Sequence, residues 1–532
     1  MNGLLKSGLL GTQRQMPPVL DDNDPADRLA VQLGEISAEQ LLLIRTGMGA
    51  ILEKAGFKST PVEALAPAPQ ESGTAPSPQL ATLLAHALAP ETINLLPEFV
   101  RIMQARGIHF PHGLLPKALD LQHPARRDLL RPVLGDRARW LAPFHDDWNW
   151  ILESGAADES ALPRWERDWN EGTFPVRVRA LEQLRENFPD TGRQWLEQVA
   201  SKEKADQRKK LVEVLQINLS LSDLPFLERL KNDRSEGVKE VARRLLILIP
   251  ESEIAQRLMA LARAVLSASR SSKGELQLQL NLPRGVDSEW DIVGPLPVHL
   301  SSAERVLQST RLLFAAIPPG EWLQEFGCSP DELLAAAAEM RGGELLLDGW
   351  LIGVPRFAGV DSQSEAFRLP LWRRCLERWR HQYSTELDSQ VTVLFSVMSD
   401  AEIDQALRDL LRSVSPQTRM PFVELFTSLN ATWSPELSKL YLRVTRQFLQ
   451  AAADHTVLRW CETLLPAAVG LNLVCVEEAL EPWSVNPDQV RSPRMGTLRN
   501  FLQRFGEVLK IRQQFLQEAE RSVSVANPQS RL

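Results

Sequence analysis

Three short stretches decide how this chain is read: VRVRALEQL at Val176–Leu184, QRKKLVEVL at Gln207–Leu215 and VKEVARRLL at Val238–Leu246. Each starts 31 residues after the one before, so that Arg177, Arg208 and Lys239 superpose, then Ala180, Leu211 and Ala242, then Leu184, Leu215 and Leu246. The agreement continues into the second half of each unit. There Trp195 meets Phe226, Leu196 meets Leu227 and Leu258, and Val199 meets Leu230 and Leu261. A fixed period carrying two apolar helical patterns predicts stacked helix pairs, because one pair cannot bury its apolar face alone. A helical bundle with accidental spacing is the competing account, and the match over both helices of each unit argues against it. The register turns Leu211 and Ala242 inward. It sets Arg177, Arg208 and Lys239 in one outward row, solvated unless an inter-repeat hydrogen-bond ladder takes them up, and this row is the candidate interaction surface.

The unit Asp233-Arg-Ser-Glu-Gly-Val-Lys-Glu-Val-Ala242 resembles the HEAT-repeat pattern of an Asp, a Ser two residues on, then Val-Arg and an Ala in the following helix. Thr173, Val176, Arg177 and Ala180 repeat most of it, whereas Gln207 and Leu211 depart from it in the middle unit. The fold class expected is mainly α: an α-solenoid of HEAT-like helix pairs, over residues 176–266, with a small β insertion.

Outward from the repeats, residues 1–58 read as an N-terminal helical segment. Leu41, Ile44, Met48, Ile51, Leu52 and Ala55 lie at helical spacing, with Gly56 as the stop. Residues 59–79 read as a Pro/Ala-rich linker, with Pro61, Pro67, Pro69, Pro76 and Pro78 and no apolar face; it is expected to be mobile and removable. Residues 80–175 are helical, punctuated by Pro97, Pro111, Pro116 and Pro132, each expected in a first turn or between helices. Residues 267–368 read as a mixed segment with small β elements. Ser267–Gly274 is a loop, Leu276, Leu278, Leu280 and Leu282 alternate as a half-buried strand does, and Leu345–Val354 is a second strand candidate. Residues 369–532 return to helix, ending in Met495–Glu520 with Leu498, Phe501, Leu502, Phe505, Val508, Leu509, Phe515 and Leu516 on one broad face. Arg494, Arg499, Arg504, Lys510 and Arg512 are its expected solvated back, since Glu507, Glu518 and Glu520 dilute them as a nucleic-acid stripe.

The 532 residues, 44% hydrophobic and 24% charged, have the composition of a folded globular chain and not of a disordered or collagen-like one. No run approaches the length of a membrane span. Met1–Met16 holds one Lys6 before Leu9 and no small-residue cleavage site, so neither signal peptide nor membrane partner is expected. Cys328, Cys375, Cys461 and Cys475 form no C-x-x-C pair, which in so long a chain reads as reduced, buried thiols and a cytoplasmic location. The formal charge of −8 argues against nucleic acid as a whole-surface partner.

Catalytic chemistry finds little footing. His109-Phe-Pro-His112 is the nearest approach to a metal pair, with Asp120 and His123 downstream, but Pro111 breaks the helix that an H-E-x-x-H zinc site needs and no Glu lies between. The segment therefore reads as a loop, as does His145-Asp-Asp147. Gly47-Met-Gly49 starts a dinucleotide fingerprint, yet Leu52 replaces the third glycine and a helix precedes it; the two glycines are expected to serve close packing. No phosphate-binding G-x-x-x-x-G-K-[ST] loop and no G-x-S-x-G elbow occurs. Trp140, Trp148, Trp150, Trp165 and Trp169 crowd one stretch, with core packing preferred over a binding surface. No catalytic residue, cofactor or metal is assigned.

Leu9-Leu-Gly-Thr-Gln-Arg14, the Leu41–Gly56 helix, Leu114-Leu-Pro116, Leu134-Gly-Asp-Arg137 with Trp140-Leu141, and Trp433-Ser-Pro-Glu-Leu437 occur in an order that resembles a bacterial family of unknown function. Genes of that family tend to neighbour those for SWIM zinc-finger, MoxR-type AAA+ ATPase and von Willebrand factor A domain proteins. The resemblance implies an accessory or scaffold role with such protein partners and carries over no catalytic residues. The leading expectation is thus a non-enzymatic scaffold. A HEAT-like nucleic-acid-binding protein and an enzyme with a dispersed site are the alternatives, and the oligomeric state is left open.

Overall fold

The computed structural model describes residues 2–17, 19, 21, 25–55, 67–89, 92–152, 162–293, 296–297, 299–381, 385–417, 425–426, 432–451, 454–484 and 492–526. Every structural statement below concerns those residues. Two units can be separated, residues 1–69 and 70–532.

In the first unit, α1 (Asn2–Leu10) stops at Gly11, whose φ of 81° only glycine adopts without strain. The Thr12 hydroxyl then donates to Glu39 Oε1 at 2.5 Å, at the start of α3 (Ala38–Lys54), with α2 (Pro25–Gln32) beside it. That bond, foremost, holds the Glu39 carboxyl below its usual range. An ion pair is buried within it: Arg45 meets both oxygens of Asp27 at 2.6 Å, and both side chains are buried. Gly47 and Gly49 lie in α3 with open space where a Cβ would be, so they serve no close packing. Gly56 falls outside the described residues.

In the second unit, α4 (Pro78–Ala87), α5 (Leu96–Ala105), α6 (Leu115–Leu119) and α7 (Pro124–Leu141) build one core around Leu84, Phe99, Phe110 and Leu134. Pro97 and Pro116 occupy first turns and Pro111 precedes a short helical turn, as expected. Pro132 does not: it sits inside α7, whose helical path breaks three residues later at Gly135 (φ 74°, ψ −170°). Of the linker, residues 59–66 lie outside the described residues. The remainder is ordered, for Thr74 pairs with the 107–109 loop and Ser77 caps α4 by accepting from Leu80 N–H at 3.1 Å.

The helices that follow are α8 (Leu162–Glu171), α9 (Phe174–Asn187), α10 (Pro189–Ala200), α11 (Ala205–Glu213), α12 (Leu224–Leu230), α13 (Glu236–Ile247) and α14 (Glu253–Val265). Ala180, Leu211 and Ala242 are all buried, as are Leu184, Leu215, Leu246, Leu196, Leu227 and Leu258, so the 31-residue register names the inward side correctly. These helices pack on near neighbours in sequence: α9 on α10 and α11, α11 on α13, α12 and α14 on α13.

The predicted strand exists as β2 (Leu276–Leu280), antiparallel to β1 (Leu266–Arg270), with Leu266 opposite Leu280 and Arg270 opposite Leu276. Residues 267–270, expected as loop, are therefore strand, and the turn is confined to Ser271–Gly274, where the Gly274 N–H donates to Ser271 O. Helices resume with α15 (Ser302–Ala315), α16 (Pro319–Phe326), α17 (Pro330–Glu339), α18 (Glu344–Arg356), α19 (Ser362–Glu365), α20 (Arg368–His381), α21 (Thr385–Phe395) and α22 (Asp400–Ser413). Capping boxes that the sequence spells as Ser-x-x-Glu start α15, α17 and α22. The second strand candidate, Leu345–Val354, is α18: Gly349 and Gly353 share the face laid on α15, and a Cβ on Gly349 would stand 2.8 Å from Arg311 O.

The last stretch comprises α23 (Pro435–Ala451), α24 (Asp454–Cys461), α25 (Leu464–Gly470), α26 (Val476–Leu480) and α27 (Ser492–Ala526). α27 packs against α24, α25 and α26 and also against α4 and α5, so the end of the chain covers its beginning within this unit. Leu498, Phe505, Leu509 and Phe515 are buried, and Phe99 stacks on Phe515 at 3.7 Å. Arg512, assigned to the solvated back, is fully buried, its guanidinium bonded to both oxygens of Glu98 at 2.6 Å and to Ala468 O and Leu471 O. No single described helix is long and apolar enough to cross a membrane. His455–Gly470 with Leu473–Leu480 would suffice together, but the pair bends by 120° and turns Trp460, Leu464 and Leu471 into the core.

Candidate functional site

The row Arg177, Arg208 and Lys239 is where a partner surface was expected, and the structure divides it. Arg208 is buried, donating to Asp233 Oδ1 at 2.8 Å and to Glu203 O at 2.6 Å. Burial pushes the Asp233 carboxyl up, but the Arg208 hydrogen bond, the Ser235 N–H and nearby arginine charge outweigh it and hold Asp233 below its usual range. Arg177 repeats the arrangement one unit earlier, donating to Glu203 Oε1 at 2.6 Å with its guanidinium 4.8 Å from the Trp169 ring centre. Lys239, in α13, reaches Glu236 on its own helix. Arg177 and Arg208 form a ladder that ties α9 and α11 to the loops before α11 and α13, whereas Lys239 stays within its own helix. Arg208 thus cannot present its charge to a partner, and Lys239 is the member left most exposed.

A second pair among the same helices was not legible in the period. Arg185 lies fully buried, bidentate to Asp223 at 3.0 and 2.8 Å, and donates besides to the carbonyls of Pro189, Leu215, Ile217 and Asn218. The shift of 31 residues puts Gln216 and Ile247 at its equivalents, so only chemistry, a lone Arg in an apolar helix face, hinted at it.

The tryptophan group is mainly structural. Trp150 and Trp169 are buried, and Trp148 donates through Nε1 to Asp120 Oδ1 at 2.8 Å with His145 stacked on its ring. Trp140 and Trp165 are half-buried.

The histidine pair falls at the break in α7. His109 and His112 stack with ring centres 4.9 Å apart, on the loop that enters α6. Arg137 Nη1 donates to His112 Nδ1 at 2.9 Å, while His112 Nε2 lies 3.9 Å from Glu71 Oε1. Glu71 in turn accepts from the Asp136 and Arg137 backbone N–H groups at 2.9 and 2.8 Å, capping the helical limb that restarts after Gly135. Gly135 is required twice, for its positive φ and because any Cβ would overlap the Glu71 carboxylate. Burial foremost, then Arg137 and His109 against a weaker pull from Glu71, holds the His112 imidazole below its usual value. Among the described residues no three His, Cys, Asp or Glu side chains gather as a metal site, and the pair's partners are Arg137 and Phe110 O.

Cys375 and Cys461 are buried, and burial pushes both thiols up to about 12; Cys475 is buried too, and Cys328 is partly covered. The remaining exposed feature is apolar. Among the described residues, nine of the eighteen exposed large apolar side chains lie in the first unit, among them Leu5, Leu9, Leu43 and Ile51.

Comparison with curated proteins finds no match. The model of a protein family of unknown function, DUF5691, matches residues 3–519, nearly the whole chain, and the chain belongs to that family.

Proposed function

We propose that this protein is a non-enzymatic helical-repeat scaffold of the cytoplasm that binds protein partners. The observation that carries the reading is the first unit: Leu9, Leu43 and Ile51 are between 67 and 77% exposed, on helices that also bury the Arg45–Asp27 ion pair. Exposed apolar side chains concentrated in so short a stretch suit a protein-binding surface. The stacked helix pairs of residues 162–265 suit an α-solenoid, which offers long surfaces for the same purpose. The partners proposed are a MoxR-type AAA+ ATPase, a von Willebrand factor A domain protein or a SWIM zinc-finger protein.

Size-exclusion chromatography of the full chain with each purified candidate tests this. Co-elution with one of them, abolished by Leu43→Asp with Ile51→Asp, is the expected result. Failure of all three to co-elute removes the proposed partners, and co-elution unchanged by the double substitution removes the first unit as the surface.

A further inference from the structure

The break in α7 is more than a kink, because three chain segments meet there through side chains whose roles depend on one proton. We propose that His112 is a proton-sensitive latch on residues 70–77: neutral, it lets Arg137 and Glu71 hold the segment down; protonated, it frees it. The tautomer is set by Arg137, which can only donate, so neutral His112 accepts at Nδ1 and carries its proton on Nε2, toward Glu71. A second proton enters at Nδ1. It replaces an acceptor by a donor facing the guanidinium and sets two cations at hydrogen-bond distance.

The charged and titratable groups that face His112 are Arg137 from α7, Glu71 from the incoming segment and His109 from its own loop. Glu71 attracts the protonated ring, but it already accepts two backbone N–H groups and stands 3.9 Å from Nε2, against 2.9 Å for Arg137 at Nδ1. Burial, Arg137 and His109 therefore prevail, in line with the lowered value of this imidazole. A histidine whose folded value is depressed contributes stability in full above its unfolded value and loses it as pH falls from there toward the folded one. Arg137 is displaced, and the residue whose backbone N–H anchors Glu71 is displaced with it.

What is released is specific. Thr74 N–H donates to Gly107 O at 2.8 Å, and His109 N–H donates to Thr74 O at 3.1 Å. Gly73 sits so close that a Cβ would stand 2.7 Å from Gly107 O. These contacts tie the segment to the loop carrying the histidines. The second unit begins with this segment, and release frees about eight residues, roughly 25 Å when extended.

Hydrogen–deuterium exchange of the full chain, read by mass spectrometry at about pH 5.5 and 7.5 with intrinsic exchange corrected, tests the latch. Protection over residues 70–77 and 107–110 should fall at the lower pH by on the order of fivefold. His112→Gln, which keeps an acceptor for Arg137 and cannot titrate, should be equally protected at both. Arg137→Gln should lose most of the response, while His109→Gln should keep most of it. Equal protection of the wild type at the two pH values overturns the proposal, as does a pH response that survives in His112→Gln. Circular dichroism of each variant shows that the comparison is made between folded chains, and Arg137→Gln decides the matter if His112→Gln fails to fold.

Discussion

At the scale of single residues, the cations of residues 174–247 show how far side chains of like charge differ in energy. Arg185 and Arg208 are each about 1% exposed and bonded to a carboxylate, whereas the Lys239 side chain is 36% exposed and pairs within its own turn. Removing one partner of a buried pair leaves the other charge desolvated and alone, which costs far more than the net worth of the pair. Arg185→Ala should therefore cost about 3–5 kcal/mol and Arg208→Ala about 2–4 kcal/mol, the lower figure because Asp233 keeps some solvent access. Lys239→Ala should change stability by about 0.5 kcal/mol or less. Urea melts of the three variants measure this, and comparable losses for Arg208 and Lys239 would contradict the ladder.

At the scale of elements, glycines mark the difference between a helix that touches another and one that does not. In an open helix Gly→Ala gains about 0.5–1 kcal/mol from propensity and reduced unfolded-state freedom. Gly47 in α3 has nothing near its missing Cβ, so Gly47→Ala should stabilise the first unit by about that amount. Gly349 in α18 lies on α15, with Arg311 O and Phe314 Cβ both 2.8 Å from where the methyl would go. Gly349→Ala should instead cost about 1–3 kcal/mol, since the two helices must separate or shift. Thermal melts with calorimetry distinguish the signs, and a stabilising Gly349→Ala would mean that α15 and α18 are not in contact.

At the scale of the molecule, the second unit is closed by its last helix. Phe515 and Ala519 of α27 belong to the core built by residues 80–151, and Arg512 fixes α27 to Glu98 of α5. Deleting residues 492–532 should therefore leave that core open and the Glu98 carboxylate without its partner, giving a chain that exchanges amide protons rapidly over residues 80–105 or fails to fold. Deleting residues 1–69 removes a separate unit, and the rest should melt within about 4 °C of the full chain. Exchange and melting of the two truncated chains measure this; a well-protected 80–105 region without α27 would contradict the closure.

Periodicity made the helical class and the inward positions Ala180, Leu211 and Ala242 legible, because a face that must avoid water repeats every turn whatever lies opposite. The strand at Leu276–Leu280 was legible for the same reason, through its alternation. Pattern failed at Leu345–Val354, where apolar residues crowd around the single charge of Asp348 and no period stands out; there the glycine contact with α15 decided for helix. Composition misled about residues 71–77, whose prolines and small residues suggested a free linker. Their order comes from Glu71, Thr74 and Ser77 bonding to groups 33 to 445 positions away, and no local window contains those partners. The charged residues behaved likewise: Arg185, Arg208 and Arg512 look like solvated cations in one dimension, and only the tertiary fold brings Asp223, Asp233 and Glu98 near enough to make burial tolerable. The sequence by itself thus determined which faces turn inward, because hydrophobic burial is a local property of each helix, and the tertiary structure decided which charges follow them, because a buried ion needs a particular counter-ion.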